Sequence, residues 1–123
     1  MKKILITGST GFVGSYLLKN FYSKNKIYIV LRNNSKNTKK IKKHKNIKVI
    51  SYVTFDELNK KLKKVTIDVV IHCATHYVKN HEYADLINLN KSNILFGNVI
   101  LENLKTMKLK KFINFSTIWE DYN

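Results

Sequence analysis

The stretch "ILITGSTGFVGSYLLKNF", Ile4 to Phe21, decides the fold of this chain. It begins with a short apolar run and continues into a segment where Val13, Leu17 and Phe21 recur every four residues. The run is typical of a buried strand and the four-residue recurrence of an amphipathic helix. Three glycines, at positions 8, 11 and 14, lie between the two. A strand that turns into a helix through glycines at this spacing is typical of a parallel sheet that binds phosphate groups.

The same alternation of strand and helix continues along the chain, which is the pattern of βαβ units around a parallel sheet. The sequence predicts five strands, in "KKILIT", "KIYIVL", "IKVIS", "IDVVIHC" and "KKFINFS". After the first helix it predicts a shorter one in "FDELNKKLKK" and a longer one from Tyr83 to about Met107. Residues 33–46 are polar and lysine-rich and predict a mobile connection. The fold class is therefore α/β, a doubly wound parallel sheet in one domain, residues 1–123.

Length and composition agree with one ordinary domain, because 44% of the 123 residues are hydrophobic and can form a core. Cys73 is the only cysteine, so we expect no disulfide and no cysteine-based metal site. His76 and His81 have no further ligands at a convincing spacing, and we assign no metal. No stretch reaches membrane-spanning length, and the apolar run near the start is too short for a secretion signal. We expect a soluble, cytoplasmic protein without a membrane partner.

The formal net charge of +15 raises the alternative of a basic nucleic-acid-binding domain. Arg32 is the only arginine, so lysine supplies 22 of the 23 basic residues. Nucleic-acid readers favour arginine for its planar guanidinium, and the lysines of "KNTKKIKKHK" have only His44 as an aromatic neighbour. A lysine-, asparagine- and isoleucine-rich composition is typical of A+T-rich codon usage. We therefore expect no nucleic-acid partner.

Each opening glycine has a geometric reason at this junction. Gly8 allows the tight turn off the strand, Gly11 lets a pyrophosphate approach the backbone, and Gly14 lets the helix lie close to the sheet. The free N–H groups at the start of the helix face the anion. This arrangement predicts a dinucleotide cofactor.

Arg32 lies at the end of the second strand, where an acidic residue would hold a ribose 2′-hydroxyl and an arginine accommodates a 2′-phosphate. A guanidinium is suited to bidentate contact with phosphate. The sequence thus favours NADP over NAD. The alternative, that Arg32 is a solvated charge at a strand end, stays open.

Three segments resemble a known family, the extended short-chain dehydrogenases/reductases of the NAD-dependent epimerase/dehydratase type. They are "TGSTGFVG" from Thr7 to Gly14, "DVVIHCAT" from Asp68 to Thr75, and "KKFINFST" from Lys110 to Thr117. The resemblance covers essentially the whole chain and implies a Rossmann-like fold. "IHCATHY" and "FINFSTIW" look most like the reductases that complete 3,6-dideoxyhexoses on CDP carriers.

The resemblance also implies functional residues. Those that contact the cofactor would be Gly8, Thr10, Gly11, Phe12, Val13, Gly14 and Ala74. Asn93 corresponds to an asparagine that helps to hold the active site in this family. Leu89 and Phe96 share its helix face, which predicts that its amide points toward the sheet; that it only bonds a backbone carbonyl is the alternative. His72 is more often a structural residue than an acid or base at the end of such a strand.

Thr117 aligns with the family's catalytic serine or threonine, and Ser116 takes that place if the register shifts by one. In the family this hydroxyl acts beside a Tyr-x-x-x-Lys pair that exchanges a proton while hydride moves. The 123 residues end before the place of that pair, and Tyr122 has no lysine four residues later. The C-terminal strands and the substrate lobe are likewise absent. "SYVTFDEL" also lacks, at the expected place, the family's aspartate for the adenine.

These departures lead to the hypothesis that this chain lacks the proton donor and the substrate-binding lobe of the family. We expect the NAD(P)-binding domain of a nucleotide-sugar epimerase, dehydratase or reductase, inactive alone, which meets its nucleotide-sugar substrate only if a C-terminal half is supplied. A non-catalytic dinucleotide-sensing module and a remnant of a broken gene are alternatives. The predicted long helix is one of two that usually form the family's dimer contact, so a homodimer is a further possibility.

Overall fold

The computed structural model of the protein describes residues 1–33, 41 and 44–116. Five parallel strands form one sheet in the spatial order β3-β2-β1-β4-β5. Their bounds are Lys3–Thr7 (β1), Lys26–Arg32 (β2), Ile47–Tyr52 (β3), Val69–His72 (β4) and Lys111–Asn114 (β5). The chain moves outward from β1 to one edge and then returns to build the other side. This doubly wound order confirms the fold class predicted from the sequence.

The sheet is covered by apolar side chains on both faces. Alternate residues of β1 point to opposite sides: Ile4 and Ile6 pack in a cluster with Leu18, whereas Leu5 packs in a second cluster with Leu58. Central strands of a parallel sheet are continuously apolar for this reason. The near-continuous hydrophobic runs of β1, β2 and β4 thus correspond to strands that are covered on both sides. β3 and β5, at the two edges, keep exposed residues, so for them this expectation was wrong.

The helices flank the sheet, and one of them is irregular. α1 spans Phe12–Phe21 and α2 spans Phe55–Leu62. The predicted long helix is a succession of a 3₁₀ turn (Tyr83–Asp85), α3 (Leu86–Asn90), a π-helical segment (Lys91–Leu95) and α4 (Phe96–Glu102). A π-helical turn holds an extra residue and is often found at functional sites.

The end of α4 differs from the prediction of a helix that continues to about Met107. α4 ends at Glu102, and the chain turns after the buried Asn103. Thr106 donates its hydroxyl proton to the Asn103 carbonyl, and Lys108 has φ 55°. A left-handed residue cannot continue a right-handed helix. Leu104 follows Ile100 at the four-residue spacing of a helix, but it lies beyond the last residue of α4.

Candidate functional site

A crevice of about 1050 Å³ lies along the carboxyl ends of β1 to β4. The strand order reverses there, between β1 and β4, and ligands of doubly wound sheets bind at such a switch point. Its volume is comparable with that of ligand pockets, about 300–1,000 Å³. The described residues that line it are Gly8, Thr10 to Gly14, Val30 to Asn33, Tyr52 to Phe55, Cys73 to His76, Lys91, Ser92 and Phe96.

Two of the opening glycines are required by close backbone contacts. Gly8 has φ 67°, and a Cβ there would lie 2.7 Å from the Cys73 carbonyl carbon and from the Ala74 nitrogen. A Cβ on Gly14 would overlap the Gly8 carbonyl oxygen and lie 2.9 Å from Cα of Ser9. Gly8 thus lets the turn lie against the end of β4. Gly14 lets the first turn of α1 lie against the loop that precedes it.

Gly11 differs from both because a Cβ there would meet only the Gly8 carbonyl oxygen, at 3.3 Å. Gly11 is the exposed N-cap of α1 and has no side chain with which to cap the helix. The helix itself provides no acceptor for the N–H groups of Phe12, Val13 and Gly14, because the first residues of a helix have none. These free donors and the positive end of the helix dipole favour an anion at this edge of the crevice.

The Thr7 hydroxyl joins the ends of β1 and β4. Its oxygen lies 3.2 Å from the backbone nitrogens of Cys73 and Ala74, which donate to it, and 2.9 Å from Nδ1 of His72. Because the two N–H groups occupy its lone pairs, we infer that the hydroxyl donates its proton to Nδ1. Burial lowers the pKa of His72, which agrees with a neutral imidazole. Ala74 is thereby held beside Gly8, in the crevice wall.

Asn93 holds the loop that follows β4. Its Oδ1 accepts a hydrogen bond of 2.6 Å from the backbone N–H of His76, and its Nδ2 donates one of 2.9 Å to the His76 carbonyl. Asn93 belongs to the π-helical segment, and its side chain is exposed. Its neighbour Ser92 lines the crevice. The amide therefore contacts a loop in the crevice wall, whereas Phe96 is directed to the core.

Arg32 ends β2 and is exposed at the rim of the crevice. Its partner in the neighbouring strand is Tyr52, at the end of β3. Burial raises the pKa of Tyr52, and the positive charge of Arg32 partly opposes this rise. The Tyr52 ring stacks at 5.9 Å from that of Phe55 and at 6.1 Å from that of Phe96. The rim near β2 and β3 therefore combines one guanidinium with an aromatic cluster.

The predicted catalytic hydroxyls are placed only in part. Ser116 is exposed two residues after β5 and is not among the described residues that line the crevice. Thr117 and Tyr122 lie outside the described residues. One tyrosine, Tyr22, does have a lysine four residues later, Lys26. That pair lies between the end of α1 and the start of β2. It is therefore at the amino ends of the strands, whereas the crevice lies at their carboxyl ends.

Over the described part of the chain, no group of three or more His, Cys, Asp or Glu side chains is placed to hold a metal ion. In the same residues, no helix is both long enough and apolar enough to cross a bilayer.

Residues 4–120 match the NAD dependent epimerase/dehydratase family. The chain belongs to this family. Among curated relatives, this chain is 38% identical over 128 residues to the dTDP-D-glucose 4,6-dehydratase of Dictyostelium discoideum. That match covers 95% of this chain and 29% of the relative. The chain is 29% identical over 118 residues to the CDP-abequose synthase of Yersinia pseudotuberculosis, which covers 96% of this chain and 40% of the relative. The chain thus spans less than half of the length of these relatives.

Solved structures of the same architecture include proteins with a bound dinucleotide. The Bordetella bronchiseptica enzyme WbmH in complex with NAD⁺ superposes with a TM-score of 0.80 at 23% identity, over 97% of this chain and 40% of that one. A mutant UDP-glucuronic acid 4-epimerase from Bacillus cereus, in complex with a fluorinated UDP-sugar and NAD, superposes with a TM-score of 0.71 at 28% identity. That match covers 94% of the present chain and 40% of the Bacillus epimerase.

Sequence reasoning did not identify several residues of the site. Thr7 begins the glycine motif, but its contacts with the end of β4 span 65 to 67 residues of chain. Lys91 and Ser92 line the crevice, but nothing in a run of exposed helical residues distinguished them. The predicted third strand, "IKVIS", ends at Ser51, one residue before Tyr52, and nothing in the sequence indicated the aromatic cluster that Tyr52 forms at the rim.

Proposed function

We propose that this chain is the NAD(P)-binding part of an enzyme that epimerises, dehydrates or reduces a nucleotide sugar. The observation that carries the proposal is the Gly8–Gly14 turn. It opens the crevice at Gly11, where an added Cβ would meet only one atom, and it places the free N–H groups of α1 at the same point. A pyrophosphate fits this combination of space and donors. The complexes of WbmH and of the Bacillus epimerase with NAD support it.

The two ends of the cofactor then follow from the topology. With the pyrophosphate at the start of α1, the adenosine ribose lies toward the end of β2, as in other doubly wound dinucleotide sites. The nicotinamide end extends to the opposite side, toward Ala74 and the loop held by Asn93. A bound nicotinamide supplies hydride transfer. The residues of this chain would bind and orient it, and Thr7 and Asn93 would keep the wall around it in place.

The 2′-phosphorylated cofactor is our proposed preference. Arg32 is exposed at the end of β2, and no carboxylate is found among the described residues that line the crevice. Lys91 adds a second cation to that lining. A guanidinium at this position attracts a 2′-phosphate and offers no acceptor to a 2′-hydroxyl.

Proton transfer is the part that the described residues do not supply. Tyr52 is the only tyrosine among the described residues that line the crevice, and it is buried beside α2 and α4 on the side of the adenosine. We propose Ser116 or Thr117 as the hydroxyl that contacts a substrate carbonyl. We also propose that this 123-residue polypeptide binds cofactor without turning over a nucleotide sugar by itself.

A homodimer through the helical segment 83–102 is part of the proposal. Ile87, Ile94 and Leu101 on this segment are 65%, 57% and 48% exposed, and pairing such apolar residues between two copies would remove them from water. Sedimentation equilibrium tests this point. We expect the wild-type chain to be a dimer. Ile94→Lys should dissociate it, whereas the matched change Asn98→Lys on the same segment should leave it intact. A wild-type monomer would contradict it.

The experiment that tests the cofactor proposal is a calorimetric titration of the 123-residue polypeptide with NADPH and with NADH at physiological salt. We expect saturable binding of both and tighter binding of NADPH. A circular dichroism spectrum of the same sample establishes that the chain is folded. Absence of saturable binding to a folded chain would overturn the proposal.

A further inference from the structure

The rim of the crevice at the end of β3 consists of Tyr52, Val53, Thr54 and Phe55. If the dinucleotide binds as proposed above, its pyrophosphate lies at α1 and its adenosine ribose at the end of β2. β3 adjoins β2 on the side away from β1, which leaves the purine base attached to that ribose beside β3. This rim is therefore the surface that the base contacts.

Several polar groups of the rim take part in hydrogen bonds near the start of α2. The Glu57 N–H donates to Oγ1 of Thr54 at 3.2 Å, and Oε2 of Glu57 accepts from the Val53 N–H at 2.8 Å. Oε1 of Glu57 contacts Nζ of Lys61 at 2.6 Å. The Tyr52 carbonyl accepts from the backbone N–H of Asn33 at 3.0 Å. This capping arrangement holds the Glu57 carboxylate at the start of its own helix.

The rim offers the base no other carboxylate within the described part of the chain. Asp56 is exposed on α2 and is not part of the crevice lining. Residues 33–46, which follow β2, contain no aspartate or glutamate in their sequence. What the rim does offer is the side chain of Val53, 68% exposed, and the aromatic cluster of Tyr52 and Phe55.

Adenine and hypoxanthine differ at position 6, where adenine has an amino group that donates and hypoxanthine a carbonyl oxygen that accepts. They also differ at N1, which accepts in adenine and carries a donating N–H in hypoxanthine. A group that only accepts and faces position 6, or that only donates and faces N1, would favour adenine, because hypoxanthine would leave it unpaired. The hydroxyls of Tyr52 and Thr54 and the amide of Asn33 both donate and accept, and an apolar surface contacts either base equally. None of these groups requires an amino group.

We propose that this site holds the purine by its faces and does not discriminate at position 6, so that it binds hypoxanthine dinucleotides as well as adenine dinucleotides. The inference rests on the proposed dinucleotide function and specifies which cofactors the site accepts.

The test is calorimetry with two matched pairs of cofactors: NAD⁺ with nicotinamide hypoxanthine dinucleotide, and NADP⁺ with its hypoxanthine analogue. Each pair shares its ribose substituent, so the ratio of dissociation constants within a pair does not depend on Arg32. We expect that ratio to lie within about fivefold of one for each pair that binds. A preference for adenine larger than that would overturn the inference and leave the proposed function standing. Absence of binding by all four compounds would overturn both.

Discussion

Thr7 and His72 are paired in adjacent strands, and the Thr7 hydroxyl lies 2.9 Å from Nδ1 of the imidazole. The same hydroxyl accepts hydrogen bonds from the Cys73 and Ala74 N–H groups. One fully buried side chain thus joins the strand before the glycine turn to the wall opposite it. The position of Ala74 against Gly8 depends on this contact.

Thr7→Val keeps the shape of the side chain and removes the hydroxyl, so that two N–H groups and Nδ1 of His72 lose their partner. We expect the free energy of unfolding to fall by about 1–3 kcal/mol, the cost of unpaired buried groups. Urea denaturation measures it. Thr7→Ser retains the hydroxyl and serves as the control, with a smaller loss from one buried methyl group, about 1 kcal/mol. Equal stability of Thr7→Val and wild type would contradict the role of the hydroxyl.

The stability of the chain should fall as pH decreases from about 6.5 toward 5. Burial lowers the pKa of His72 below its ordinary 6.5, so in this range the unfolded chain takes up a proton that the folded chain does not. The stability is present above the unfolded pKa and is lost as pH falls toward the folded one. Hydrogen bonds from Lys61 and from the Lys3 backbone lower the pKa of Glu57 and Asp68, respectively.

The stabilisation from those carboxylates is lost only as pH falls below their ordinary pKa values of 4.5 and 3.8, so a change in stability between pH 7 and 5 reports the histidine. Urea denaturation of wild type and His72→Gln at intervals between pH 7 and 5 is the measurement. We expect the decline in wild type to be steeper than in the variant. Parallel curves would show that protonation of His72 is not coupled to folding.

Substitution by alanine should affect stability at Gly8 and dinucleotide binding at Gly11. Gly8→Ala adds a Cβ 2.7 Å from the backbone at Cys73 and Ala74 on a residue with φ 67°, and we expect a loss of stability of about 2 kcal/mol or more. Gly11→Ala meets one atom at 3.3 Å, and we expect near-normal stability with dinucleotide binding weakened by about tenfold or more. Thermal unfolding and calorimetry measure the two effects. Unchanged binding in Gly11→Ala would contradict the placement of the pyrophosphate.

Arg32→Asp should reverse the preference between cofactors. We expect NADPH binding to weaken by about tenfold or more, since a phosphate loses its guanidinium and meets a negative charge, while NADH binding changes less. Lys48→Asp makes the same change in net charge on an exposed position of β3 outside the crevice lining. If both variants lower the NADPH preference equally, the effect is one of overall charge and Arg32 is not the clamp.

Asn93→Ala should release the loop after β4 without unfolding the chain. The variant removes both hydrogen bonds to the His76 backbone, so we expect the His76 amide to exchange with deuterium faster than in wild type. Asn90→Ala is the matched control, because the Asn90 amide donates within its own helix, to the Leu86 carbonyl. Equal exchange of the His76 amide in wild type and Asn93→Ala would show that the loop is held by other contacts.

Local patterns in the sequence were sufficient for the fold. Five apolar runs predicted five parallel strands, and the glycines predicted where the first strand turns into its helix. These features depend on neighbours along the chain, because strand and helix periodicity and glycine turns act over a few residues. The predicted end of the last helix, at about Met107, was wrong because the helical spacing of apolar residues continues through the turn at Asn103.

The walls of the site were decided only by the tertiary structure. Thr7 contacts His72 across 65 residues, and Asn93 contacts His76 across 17. No local pattern reports such pairs, since each member satisfies an ordinary local role in a strand or a helix. The sequence by itself determined the sheet and the position of the glycine turn between β1 and α1. Folding decided which distant polar groups meet around that turn, because their hydrogen bonds form only when the strands are adjacent.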